Sequence, residues 1–246
     1  PASASAYWQQ MSAAGTNGTD LTTTLTTQGD ILIRNGSGLA RLGYGTAGQV
    51  LQTGGSGANP SWGTVSSDFV KLSTTTISSA TANVDIDNVF NQSGYNVFKI
   101  FINKFRGSTA DDLYFRFLDN SGTHYASGNY RWGVTGLEAS SGGTNDGQQG
   151  YDWNSTFVKF AGTGGSISPA TDIKDTFIAE MIVSNAYQSG KTAFAWTVNY
   201  LRNNGDNHMS SRGGGHLNAN DVLRGIRFYM GSGNVEEGIF TVYGIK

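Results

Sequence analysis

From residue 69 onward, large apolar side chains recur at every second position, and a period of two is the signature of β-strands. Phe194, Trp196, Val198 and Tyr200 form the longest such run, with Ala195, Thr197 and Asn199 on the opposite face. Successive strand side chains point to opposite faces, so such a run turns one face to a core and one to solvent. Leu113, Phe115 and Phe117 alternate with Tyr114, Arg116 and Leu118, and Phe177, Ala179, Met181 and Val183 make a further set. Ile226, Phe228 and Met230 alternate with Arg227 and Tyr229, and Ile239, Thr241, Tyr243 and Ile245 follow. Residues 97–105 are apolar on both faces, Phe98, Ile100 and Ile102 on one and Val97, Phe101 and Phe105 on the other, which reads as a central strand covered on both sides. Turn signals separate the runs: Asn120-Ser121-Gly122, Ser189-Gly190, residues 203–206 and residues 231–234. Beyond Trp62 only a single turn near residues 85–90 has a helical look. The expectation for residues 67–246 is an antiparallel, jelly-roll-like β-sandwich in an all-β chain.

Residues 29–66 read differently. Short apolar triplets, Ile31-Leu32-Ile33 and Gln49-Val50-Leu51, stand between glycine-rich turns. Asn35-Gly36 signals a two-residue hairpin, because type I′ turns need positive φ at both central positions. Residues 54–59 are a flexible Gly/Ser patch, and Pro60 stiffens the approach to Trp62. A boundary is expected near residues 64–68. A segment this short and glycine-rich cannot bury a core alone and must borrow partners, the nearest being identical chains. The expectation is a collar or neck in a homotrimer, built on Ile31, Leu32, Ile33, Leu39, Leu42, Val50, Leu51 and Trp62.

The order of parts in this segment, GDILIRNGSGLARL, then GTAGQVL, then PSWG, resembles a module of bacteriophage tail fibres, head fibres and other virion-surface proteins. The resemblance covers residues 25–63. The run from Gly225-Ile226-Arg227-Phe228 through Gly233-Asn234 to Val242-Tyr243-Gly244-Ile245 is similar to the endings of phage-appendage sandwich domains. The resemblance implies a structural virion protein whose partners are copies of itself and a major capsid or tail protein. One module, a short arm and one distal domain suggest a capsid decoration protein or head fibre. A tail fibre with a glycan-binding tip is the alternative, and a hydrolytic tail spike ranks third.

Residues 1–28 carry one charge, Asp20, and read as an N-terminal arm. Tyr7, Trp8 and Met11 share one face of a short helix over residues 4–14 and suit an anchor on the virion, since aromatics are favoured interface anchors; a loose terminus is the plainer reading. Residues 22–27 are threonine-rich and favour extended chain.

Composition narrows the functions. The 246 residues contain sixteen basic and eighteen acidic side chains, no basic block and no cysteine. Nucleic-acid binding lacks its electrostatic footprint, and disulfides, thiol catalysis and thiolate metal sites are excluded. Charged residues are 14%, against the usual quarter, which suits many short strands joined by tight turns. No stretch approaches the roughly twenty apolar residues of a membrane helix, and residues 1–19 lack the basic region of a signal peptide. The expected location is the virion surface, after synthesis in the host cytoplasm, with no membrane partner.

No catalytic, cofactor or metal site is expected. His124, His208 and His216 match no metal-ligand spacing, even with Asp206 added. Asp111-Asp112 reads as a strand cap, and Asp172 and Asp175 beside Lys174 as a solvated turn. No Gly-x-Ser-x-Gly, phosphate loop or dinucleotide fingerprint occurs. Two loops are richer than packing requires. One, residues 124–151, contains Tyr130 and Trp132; the other, residues 203–220, contains Asp206, Asn207, His208, Arg212 and His216. These are candidate surface contacts for a host glycan. Filling the core from a strand is the plainer reading of Tyr130 and Trp132, and Gly213-Gly214-Gly215 equally suits close packing between subunits.

Overall fold

A computed structural model describes residues 21–65, 67–91, 93–139, 147–161, 176–202 and 207–246. The anchor residues Tyr7, Trp8 and Met11, and Asp206, lie outside the described residues. The chain forms two compact units, Pro1–Ser67 and Asp68–Lys246.

In the first unit, residues 22–27 are not extended. α1 (Leu21–Thr24) is one helical turn closed by Leu25 N–H donating to the Leu21 carbonyl at 2.9 Å. Asp30 Oδ2 then accepts from Thr27 N–H at 2.7 Å and Thr26 N–H at 3.0 Å, and pairs with Arg41 Nε at 2.7 Å. These local bonds outweigh the extended preference of threonine. Two hairpins follow: β1 (Ile31–Asn35) with β2 (Gly38–Leu42), and β3 (Gln49–Gln52) with β4 (Ser61–Thr64). The first turn is not the expected type I′. Asn35 pairs with Gly38, so the central residues are Gly36 and Ser37, neither left-handed, and the positive φ (143°) falls on Gly38. The Asn35 side chain explains this: its Oδ1 accepts from the Ser37 and Gly38 N–H groups and closes an Asx turn around the loop.

Trp62 joins the two hairpins. Its Nε1–H donates to the Gly43 carbonyl at 2.6 Å, and a Cβ on Gly45 would stand 2.7 Å from its ring. Trp62→Ala is therefore expected to cost the β3–β4 hairpin about 1 kcal/mol or more of protection. Faster amide exchange in Gln49–Gln52 and Ser61–Thr64, with the sandwich melting unchanged, is the expected readout. No described residue of this unit is buried; Ile31, Leu32, Ile33, Leu42 and Trp62 are half-buried, and Leu39, Val50 and Leu51 are exposed.

The second unit is a sandwich of unequal sheets whose neighbouring strands are all antiparallel. Its strands are β5 (Phe69–Ile77), β6 (Val84–Ile86), β7 (Val97–Gly107), β8 (Leu113–Asp119), β9 (Tyr130–Ala139) and β10 (Gly147–Ser155), continuing with β11 (Val158–Lys159), β12 (Ile178–Ser184), β13 (Thr192–Leu201), β14 (His208–Leu217), β15 (Leu223–Met230) and β16 (Val235–Ile245). Eight strands run in the order β10-β9-β14-β13-β12-β7-β16-β5, and four in the order β11-β8-β15-β6. The expected alternation places Phe194, Trp196, Val198 and Tyr200 inward, where Phe194 and Trp196 meet Phe115, Phe117 and Phe160 and Tyr200 meets Phe177. Trp196 Nε1–H donates to the Phe160 carbonyl at 2.9 Å, so its one polar atom is satisfied in the core.

Strand β7 departs from simple alternation. Phe105 lies on the buried face with Phe98, Ile100 and Ile102, because Lys104 takes a left-handed φ of 51° and inserts a bulge opposite β16. Val97 and Phe101 remain on the outer face, where Tyr243 packs edge-on against Phe101 at 5.9 Å and stacks on Phe69 at 4.4 Å. The segment from residue 84 is a short edge strand and bends rather than a helical turn. Arg227 holds Asp85 and Arg224 holds Asp87 through paired bonds of 2.6–2.7 Å, which fasten this segment to β15.

Candidate functional site

The segment read as a loop at residues 203–220 is mostly strand. β14 pairs over ten residues with β13 on one side and β9 on the other. Three consecutive glycines have little strand preference of their own; their neighbours hold them extended. Gly213 points inward, where a Cβ would stand 2.6 Å from Cη2 of the buried Trp196. A Cβ on Gly215 would stand 2.8 Å from the Cα of Trp132. The glycines make room for the two indoles and for close strand approach.

Gly214 points outward, directly opposite Gly133 of β9, with Ala195 of β13 on its other side and Tyr151 of β10 beyond Gly133. Bare backbone and one methyl thus form a floor three strands wide. The next outward row is Thr135, Arg212 and Thr197, and the one after it Leu137, Ser210 and Asn199. A cleft of about 650 Å³ is lined by Gly133 and Ala195 of the first row and by Thr135, Arg212 and Thr197 of the second, and is bordered by Gln149 and Tyr151; a second of about 550 Å³ continues over the last two rows. Arg212 lines both and is the one charged residue among the described residues lining either. It is exposed, and its guanidinium makes no hydrogen bond or ion pair among the described residues. Tyr151 is 87% and Trp153 71% exposed on the edge strand, and the Arg131 guanidinium lies 4.3 Å from the Trp153 ring centroid.

The candidate contacts separate accordingly. Tyr130 and Trp132 are buried and cannot serve as surface contacts. Their inward parity on β9 places them in the core, where Phe117 N–H donates to Tyr130 Oη at 2.8 Å and burial pushes the phenol pKa up. Asn207 is committed to structure: its amide donates to Glu138, which also takes Arg202 Nη1 at 2.6 Å. His208 is exposed at the start of β14, opposite Ala139 and Leu201. Arg212 lines the groove. His216 lies beside Arg131, and partial burial first, then the Arg131 and Lys191 cations, lower its pKa below 6.5, so it stays neutral at neutral pH. Sequence reasoning missed Gly133, Thr135, Tyr151, Trp153 and Thr197. The small and polar outer set Ala195, Thr197 and Asn199 was a visible signal, but its neighbours come from distant strands. Among the described residues, no three His, Asp or Glu side chains converge as metal ligands.

The ion-paired carboxylates have opposite electrostatics. The Arg202 bond, ahead of the Asn207 amide, holds Glu138 below its ordinary 4.5, and Arg224 holds Asp87 below 3.8. Burial raises Asp112 above 3.8 against the pull of Lys159 at 2.6 Å, and its Oδ1 has no hydrogen-bond partner among the described residues. A lowered carboxyl contributes stability above its unfolded pKa and loses it as pH falls through the folded value; a raised one does the reverse. The melting temperature should therefore fall between about pH 5 and pH 3. Glu138→Gln should shrink that fall and Asp112→Asn should steepen it, as thermal melts across this range will show.

No protein-family model matches the chain, and no curated protein matches it. Among solved structures, the VP2 subviral particle of infectious bursal disease virus aligns at 13% identity over 85% of this chain and 48% of that chain, with a TM-score of 0.13. The Gx strain of the same virus aligns at 15% identity over the same shares, with a TM-score of 0.15. The chain spans about half the length of these structures, and TM-scores of this size carry no argument about fold or function.

Proposed function

We propose that the chain is a structural protein of a bacteriophage surface, a capsid decoration protein or head fibre without catalytic activity. Its first unit associates between copies as a trimeric neck, and its sandwich is displayed. The observation that carries this reading is the coreless first unit. Its two hairpins bury no described residue, and Leu39, Tyr44, Val50, Leu51 and Val65 stand exposed in the single chain. Apolar surface of this kind is stabilised when copies cover it, and the same residues belong to the segment that resembles virion-appendage modules.

Two measurements test the reading. Sedimentation equilibrium of the whole chain should give a trimer; a folded monomer at micromolar concentration overturns the neck. Gold-labelled antibody against the sandwich should decorate the heads of purified particles. Label confined to the tail transfers the role to a tail fibre, and absence from particles overturns a virion role. Deleting residues 1–27 should abolish incorporation into particles while the sandwich stays folded, which places the docking contact to the capsid or tail protein in the arm.

A further inference from the structure

We infer that the groove over β9, β14 and β13 is a binding site for an acidic polysaccharide, with Arg212 as the carboxylate contact. Neighbouring strands lie about 4.8 Å apart, so the floor of Gly133, Gly214 and Ala195 is roughly 10 Å across and presents no side chain larger than methyl. A flat, weakly apolar floor of this width accepts the face of a sugar ring. Tyr151, exposed at the cleft border, supplies an aromatic surface for the C–H face of a neighbouring ring. The lining also offers hydroxyls and amides, Thr135, Thr197, Ser210, Asn199 and Gln149, which donate and accept as vicinal hydroxyls require, while the exposed Leu137 adds apolar surface to the second cleft.

Charge chooses the class of sugar. Arg212 stands between Thr135 and Thr197, its direct cross-strand partners. No carboxylate among the described residues lines either cleft to neutralise it. A guanidinium so placed takes a carboxylate through two parallel bonds, and the two threonine hydroxyls flank the same spot. A uronate-type sugar fits this row. A peptide strand does not, because β9 and β14 each pair with strands on both sides and have no unpaired ladder groups to offer. Nucleic acid would need more than one cation in the groove. The rows are roughly 7 Å apart along the strands, so the two adjoining clefts accept consecutive sugars of one chain.

The test is titration of the whole chain with short oligogalacturonates and with their methyl esters, followed by calorimetry or by chemical shifts of groove amides. The acid should bind, and the ester about tenfold or more weaker. Arg212→Gln and Tyr151→Ala, both at exposed positions, should each weaken binding by about tenfold or more without changing the melting temperature. Gly133→Val should block the site while the fold persists, since a Cβ there meets nothing nearer than the Gly150 carbonyl at 3.9 Å. Equal affinity for acid and ester overturns the carboxylate assignment, and binding undiminished in Arg212→Gln and Gly133→Val overturns the site. No binding of oligogalacturonate, oligoglucuronate or sialyl-oligosaccharide overturns the inference. A change of oligomeric state in Gly133→Val without saccharide binding would instead make the groove a contact between copies, and also overturns it. A protein found on particles that binds none of these sugars leaves the virion role standing, and a sugar-binding protein absent from particles does the opposite.

Discussion

Phe115→Ala should cost the sandwich about 3–5 kcal/mol. The ring is fully buried and has aromatic neighbours in both sheets: Phe117, Phe160 and Phe228 on one side, Phe194 and Trp196 on the other, with centroids 5.3 to 6.3 Å away. Truncation removes the transfer term for a phenyl group and leaves a void whose walls are themselves rings wedged against others. Trp196 is tied to the Phe160 carbonyl and cannot tilt into the gap without breaking that bond. The cavity should therefore stay open. Urea unfolding followed by tryptophan fluorescence should show a lower midpoint with an unchanged slope. A loss below about 1 kcal/mol would mean that the cluster collapses around the missing ring, contrary to the close packing described above.

Gly215→Ala should cost about 2–3 kcal/mol, near the upper end for overpacking. The added Cβ would run into the Arg131 carbonyl oxygen and approach within 2.8 Å of the Trp132 Cα. Both obstacles are backbone, so relief requires β14 to move away from β9 at a paired position. That movement also widens the groove floor, and binding at Arg212 should weaken along with stability. Gly133→Ala is the matched control. Its nearest obstacle is 3.9 Å away, and its stability should change by no more than about 0.5 kcal/mol. Chemical denaturation of both variants checks the pair. Equal stabilities would show that β14 and β9 separate at little cost, and that the glycine is not there for close approach.

Legibility followed the range of the interactions. Phe194, Trp196, Val198 and Tyr200 point inward as their spacing requires, because alternation is a property of one strand. Strand β14 was hidden, because Gly213, Gly214 and Gly215 have weak preferences and are extended by β9 and β13, from distant parts of the chain. Phe105 changed face because Lys104 bulges, a choice made across the pair with β16. The first hairpin turned around Gly36-Ser37 because the Asn35 side chain outcompeted the type I′ geometry suggested by Asn-Gly.

The candidate groove shows the same division. Arg212 stood out in the chain as a cation among polar neighbours, but Thr135 and Thr197 are 77 and 15 positions from it and meet it only through pairing. Tyr130 and Trp132 look in sequence much like Tyr151 and Trp153; inward parity buried the first pair, and the edge of the sheet exposed the second. Alone, the sequence determined the all-β class, the strand runs with their inward faces, and a glycine-rich segment too poor in bulk to bury a core, because these depend on period and composition. Tertiary structure alone decided strand order, the bulge in β7 and the Gly133–Gly214–Ala195 floor under Arg212, because a sheet face is assembled across strands and each row joins residues that the chain keeps far apart.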